Sequence, residues 1–132
     1  MKYPSPQYWP PILRFVFKSL TICFAGLLIW QSLEPSNAAG SILHIDKLLH
    51  LIVYGALAGL MRLGWWKYGS WLVLASCSAL GFGLEILQGL FAIGRTASIF
   101  DGFANVAGIL LALFILGQIW PNQNIPRKNP PS

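Results

Sequence analysis

The sequence carries little charge for its length. Nine basic and four acidic residues make up 10% of the 132-residue chain, against about 25% in soluble domains. Hydrophobic residues account for 55% of the chain, and the mean hydropathy is +0.60. These proportions exclude an ordinary soluble domain and indicate a chain that folds in a lipid bilayer.

Motifs of the common enzyme and metal sites are also missing. The two cysteines, Cys23 and Cys77, lie far apart within apolar runs, so neither a disulfide nor a zinc site is predicted. The chain has no glycine-rich phosphate loop and no serine in a nucleophile-elbow context. We therefore expect no metal and no cofactor, while enzyme activity is left open.

Four apolar runs are long enough to cross a bilayer, which requires roughly 17 to 25 residues. They cover residues 12–33, 48–64, 70–92 and 103–120. The prediction is an all-α integral membrane bundle of about four transmembrane helices, forming one domain over residues 12–120. Residues 1–11 are expected to be an interfacial lead-in, and the proline-rich residues 121–132 a mobile cytoplasmic tail.

The basic residues stand singly between the apolar runs rather than in a stripe, so membrane lipids and no nucleic acid are the expected partners. Their distribution predicts that both termini are cytoplasmic, because positive charge favours the inner side of a membrane. On that topology only Lys47 and Arg95 lie outside. We expect a multi-pass protein of the plasma or inner membrane. An alternative for the first span is a cleaved signal peptide.

Small residues predict close helix packing. Gly55 and Gly59 share one face of the second span, and Ala104 and Gly108 share one face of the fourth. The segment from Ser98 to Asp101 reads as a capping box, in which each end of a four-residue motif bonds the backbone N–H of the other.

Polar side chains in the spans form three clusters. Ionisable groups within a bilayer are costly, so each needs a partner or a function. Asp46 and His50 lie one helical turn apart, with Tyr54 a turn further on. The other clusters are Glu85 with Gln88, and Arg95 and Ser98 with Asp101 and Asn105.

The predicted topology places all three clusters in the outer leaflet, where they can form one pocket on the extracytoplasmic side. We expect His50 and Glu85 to be a proton-handling, possible catalytic pair. The expected ligand-binding residues are Asp46, Lys47, Gln88, Arg95, Asp101 and Asn105. Simpler roles compete with these: Asp46 as a helix N-cap, Arg95 as a neutralising charge and Asn105 as a bridge between helices.

The pattern D-K-x-x-H, E-x-x-Q and R-x-x-S-x-x-D-x-x-x-N-x-x-G, between residues 46 and 108, resembles the VanZ-like membrane family, named for an accessory protein of teicoplanin (glycopeptide) resistance. The matching positions are Asp46, Lys47, His50, Glu85, Gln88, Arg95, Ser98, Asp101, Asn105 and Gly108. The resemblance implies a function in the cell envelope and does not extend a resistance role to this chain.

Three functions are compatible with these features. The first is a pocket that binds or acts on an anionic lipid-linked or cell-envelope ligand, with Lys47 and Arg95 meeting its head group. The second is a small transporter or flippase-like half-unit that dimerises. The third is a non-catalytic membrane scaffold, in which the polar layer only holds the helices together.

Overall fold

The computed structural model describes residues 4–34, 43–91 and 98–121, and the regular secondary structure in these ranges is entirely helical. A short 3-10 helix at Pro6–Tyr8 precedes four long helices: α1 (Pro11–Leu33), α2 (Leu43–Gly64), α3 (Ser70–Phe91) and α4 (Ile99–Ile119). Each long helix contains a stretch long and apolar enough to cross a membrane. The predicted all-α bundle of four transmembrane helices is confirmed.

Two helices begin earlier than their apolar runs. α2 starts at Leu43 rather than at residue 48, and α4 starts at Ile99 rather than at 103. The polar residues at these ends lower the local hydropathy without breaking the helix. Asp46 therefore lies inside α2, in its first turn, and the proposal that Asp46 is the N-cap of this helix is wrong.

Helix α2 is the centre of the bundle. It packs most extensively on α4 and also contacts α1 and α3. At the α2–α4 crossing, a Cβ atom added to Gly108 would overlap the backbone carbonyl oxygen of Leu51. One added to Gly55 would lie 3.1 Å from the carbonyl oxygen of Gly108. The two glycines let the backbones touch, as expected of small residues on these helix faces. Gly59, the other glycine of the predicted Gly55–Gly59 face, has nothing within 4 Å of an added Cβ.

The buried core lies along the inner faces of α2, α3 and α4. It contains Tyr54, Leu57, Ala58, Val73, Cys77 and Ile109. Many large apolar side chains instead point outward, including Phe15, Trp30 and Phe114. In a bilayer these side chains would face lipid, which explains why the chain can leave so much apolar surface uncovered.

One end of the bundle is rich in tryptophan. Trp120 contacts Trp9 and Trp66 edge to face, with ring centroids 5.8 Å apart in both pairs. Arg62 stacks 3.8 Å from the Trp66 ring centroid, and its Nη1 donates to the carbonyl oxygens of Trp66 and Tyr68. We call this the tryptophan end. The opposite end, which carries His50, Glu85 and Asp101, is called the polar end.

Candidate functional site

His50 is the centre of the polar end. It lies two turns into α2, and its ring contacts side chains from α2, α3 and α4. Nε2 lies 4.0 Å from a carboxylate oxygen of Asp46 and 4.0 Å from one of Asp101, and Nδ1 lies 3.9 Å from Oε1 of Glu85. The structure therefore brings three of the four carboxylates of the chain around one imidazole.

Asn105 fixes the orientation of that imidazole. Its Oδ1 lies 3.0 Å from Nδ1 of His50, and because a carbonyl oxygen can only accept, a hydrogen bond joins the two side chains when Nδ1 carries the proton. Asn105 is only 2% exposed. Gly81 of α3 leaves room for it, since a Cβ there would lie 3.0 Å from the Asn105 amide nitrogen. Asn105 therefore bridges α2 and α4, which is the role that the sequence offered as the alternative to ligand binding.

Glu85 connects α3 to the start of α4. Its Oε2 accepts a hydrogen bond of 3.2 Å from the backbone N–H of Ser98, the N-cap residue of α4. Ser98 makes no side-chain capping bond, so the predicted capping box is wrong. In a capping box, the carboxylate three residues after the N-cap would accept the hydrogen bond from this N–H. Here Glu85 takes that role from a different helix.

Asp101 is thereby free to contact other groups. Its Oδ1 forms an ion pair with Nζ of Lys47 at 3.3 Å, which ties α4 to the first turn of α2. Asp101 is buried, whereas about a third of the Lys47 side chain is exposed. The ammonium of Lys47 is thus paired with a carboxylate of the protein itself, rather than being left for an anionic ligand.

A cavity of about 320 Å³ lies beside His50, at the lower end of the range of roughly 300 to 1,000 Å³ typical of small-molecule sites. Five side chains from the predicted polar clusters line it: Asp46, His50, Tyr54, Glu85 and Gln88. Lys47, Asp101 and Asn105 are not among the described lining residues, but Asn105 contacts His50 and Lys47 pairs with Asp101. The polar clusters thus divide into a lining group and a supporting group.

Helix α1 supplies a wall of the cavity that sequence reasoning missed. Gln31, Ser32 and Leu28 line it, although the three predicted polar clusters all lie outside the first span. The available signal was the polar pair Gln31 and Ser32 at the end of an otherwise apolar run. Leu49, Val53 and Leu84 complete the lining, which is therefore both polar and apolar.

The same end contains one arrangement that could hold a cation. Ligand atoms of Asp46, His50 and Asp101 lie within 4.8 Å of one another. An oxygen-rich set with one imidazole suits a divalent metal, but the ammonium of Lys47 already contacts Asp101. Arg95 lies outside the described residues, so its predicted role in ligand binding stays a prediction.

The comparison with protein families supports the resemblance drawn from the polar pattern. The sequence model of the VanZ/LLP1 family matches residues 4–120, which includes all four long helices and every residue of the polar end discussed above. No curated protein and no solved structure gives a significant match to the chain.

Proposed function

The chain belongs to the VanZ/LLP1 family and is a multi-pass membrane protein, and on that premise we propose that its polar cavity binds the head group of a lipid-linked cell-envelope ligand. The observation that carries the proposal is the composition of the cavity. Its described lining combines Asp46, His50, Glu85 and Gln88 with leucine and valine side chains. Such a lining suits an amphiphile, whose polar group and hydrocarbon part need different surfaces.

The polar lining favours a head group rich in hydroxyls. Carboxylates accept hydrogen bonds, whereas Gln31, Ser32, Tyr54 and Gln88 can both donate and accept. Sugars present hydroxyl groups that make both kinds of bond. A glycan carried on a lipid therefore matches the cavity better than a purely apolar molecule would.

His50 and Glu85 are the groups suited to handle a proton. Nδ1 of His50 lies 3.9 Å from Glu85, and both side chains line the cavity. A proton accepted by the ring would be balanced by the neighbouring carboxylates of Asp46 and Asp101. This pair could bind a ligand hydroxyl or act as general acid and base on it.

We propose that Arg95 binds the anionic group of the ligand. Lys47 is paired with Asp101 and is not among the described lining residues, so it is less available to a phosphate. Arg95 is the other basic residue predicted on that side, and its guanidinium could bind phosphate through two parallel hydrogen bonds. We expect Arg95→Lys to weaken ligand retention although it keeps the charge.

Lipid retention by the purified full-length protein tests the proposal. Mass spectrometry would compare the lipids that co-purify with wild type, Glu85→Gln and Asp101→Asn. Both variants change a carboxylate to an amide. Glu85 lines the cavity, whereas Asp101 is not among the described lining residues. We expect Glu85→Gln to reduce retention about tenfold, through loss of a charge-assisted hydrogen bond, and Asp101→Asn to reduce it far less.

Two results would contradict this proposal. If wild type retains no lipid-linked envelope component, the ligand assignment fails. If both variants lose thermal stability and retention in parallel, the polar end is a scaffold that holds the helices together, and the cavity has no separate role.

A further inference from the structure

A second cavity lies at the tryptophan end, far from His50. Its volume is about 630 Å³. The first turns of α1 form one side, and the turn between α2 and α3 forms the other. Its polar and aromatic lining consists of Gln7, Arg14, Lys18, Trp65, Trp66 and Lys67. We call it the basic cleft.

The charge of the basic cleft is not balanced by carboxylates. Three cations line it, from Arg14, Lys18 and Lys67. The four acidic residues of the chain are Glu34, Asp46, Glu85 and Asp101, and these lie at the polar end of their helices. Among the described residues, the ion pairs involve only Lys47 and His50 as the basic partner.

Local packing holds the cationic groups in place. Gly64 lies against Lys18, since a Cβ on Gly64 would be 3.0 Å from the Lys18 backbone nitrogen. The Lys18 ammonium lies 5.5 Å from the ring centroid of Trp65. A cation over an aromatic face is positioned but not neutralised. Nε of Arg14 is buried and has no hydrogen-bond partner in the described structure.

We propose that the basic cleft binds the phosphate of an anionic phospholipid. Three cations around a cavity without carboxylates match an anionic phosphate. A lipid-borne phosphate is favoured over free phosphate because Ile12 and Phe15 also line the cleft. Both side chains are largely exposed, which leaves apolar surface for an acyl chain beside the charged groups. Tryptophan rings at this level are typical of the membrane interface.

Fluorescence quenching by brominated lipids tests this inference. The full-length protein would carry Trp30→Phe, so that the remaining five tryptophans, all at or near the tryptophan end, report the signal. It would be reconstituted in phosphatidylcholine vesicles containing phosphatidylglycerol, with either lipid brominated. Because each of the three cations contributes about fivefold, we expect brominated phosphatidylglycerol to quench with a preference well above fivefold, and the combined Arg14→Gln, Lys18→Gln and Lys67→Gln variant to lose that preference.

A single substitution separates a site from diffuse attraction. Lys67 is exposed, so Lys67→Gln should fold normally and lower the preference by about fivefold, the typical effect of one cation near anionic lipid. Lys128→Gln removes the same charge from the tail and should leave the preference nearly unchanged. Equal effects of the two variants, or no preference in the parent protein, would overturn the proposal. Loss of the preference in excess inorganic phosphate at constant ionic strength would make free phosphate the ligand and also overturn it.

Discussion

At the scale of single residues, the polar end depends on an exchange of roles between two carboxylates. Asp101 holds the position three residues after the N-cap, from which it could bond the Ser98 N–H. Glu85 makes that bond from α3 instead. Asp101 is then free to pair with Lys47 and to approach His50. The hydrogen bond from Ser98 to Glu85 thus leaves Asp101 available to Lys47 and His50.

This exchange predicts different effects for two substitutions of Glu85. Glu85→Gln keeps an oxygen that can accept from Ser98, whereas Glu85→Met fills similar volume without an acceptor. Leaving a buried N–H without a partner costs about 1 to 3 kcal/mol, and because the Ser98–Glu85 hydrogen bond is only part-buried, about 1 kcal/mol is expected here. We therefore expect Glu85→Met to be less stable than Glu85→Gln by roughly that amount, measured by thermal or denaturant unfolding in the same detergent.

Equal stability of the Gln and Met variants would contradict the capping role. In that case the Ser98 N–H would have another partner, such as water. Lipid retention, measured on the same samples, separates this structural role of Glu85 from its proposed role in the cavity.

At the scale of helices, the α2–α4 crossing is the contact that aligns the site. His50 and Lys47 come from one helix and Asn105 and Asp101 from the other, so their distances depend on the depth of this crossing. Gly108 lets the two backbones meet, because any side chain there would overlap the Leu51 carbonyl. A larger residue must therefore push the helices apart.

Alanine substitution at two glycines tests that dependence. Gly108→Ala should destabilise the protein by roughly 2 kcal/mol or more through overpacking and should disturb the polar end. Gly59→Ala is the matched control, since nothing lies within 4 Å of a Cβ there. It should be neutral or slightly stabilising, because alanine favours a helix over glycine by up to about 1 kcal/mol. Similar unfolding midpoints for the two variants would show that the crossing tolerates separation.

At the scale of the whole molecule, the two ends differ in charge. Carboxylates gather around His50 at the polar end, and cations gather with tryptophans at the other. The positive-inside rule predicts that the tryptophan end faces the cytoplasm. On that orientation, the polar cavity is accessible to ligands on the outer side of the membrane, and the basic cleft contacts lipids of the inner leaflet.

Cysteine labelling tests this orientation. Glu34 and Lys67 are both exposed and lie at opposite ends of the bundle. In a background with Cys23→Ala and Cys77→Ala, an impermeant maleimide should label Glu34→Cys in intact cells, and should label Lys67→Cys only after the membrane is opened. The reverse pattern would invert the topology and place the polar cavity on the cytoplasmic side.

The sequence by itself determined the class of fold and most of the polar residues that meet. Apolar runs of bilayer length require helices, because backbone groups in lipid must bond within their own segment. The spacing of Asp46, His50 and Tyr54 places them on one face of a helix wherever that helix packs. Gly55 and Gly108 were among the small residues predicted to permit close approach of helices, but the sequence did not show that these two would meet each other or that Gly59 would stay without a contact.

Only the tertiary structure decided which polar residues line the cavity and which support it. Helical periodicity fixes the face of a residue on its own helix but not its neighbours on another helix. The Glu85 bond to Ser98, the Lys47–Asp101 ion pair and the α1 wall at Gln31 all join distant parts of the chain. The capping box failed for this reason, because a local motif predicts a local bond, and a carboxylate from another helix had taken the same donor.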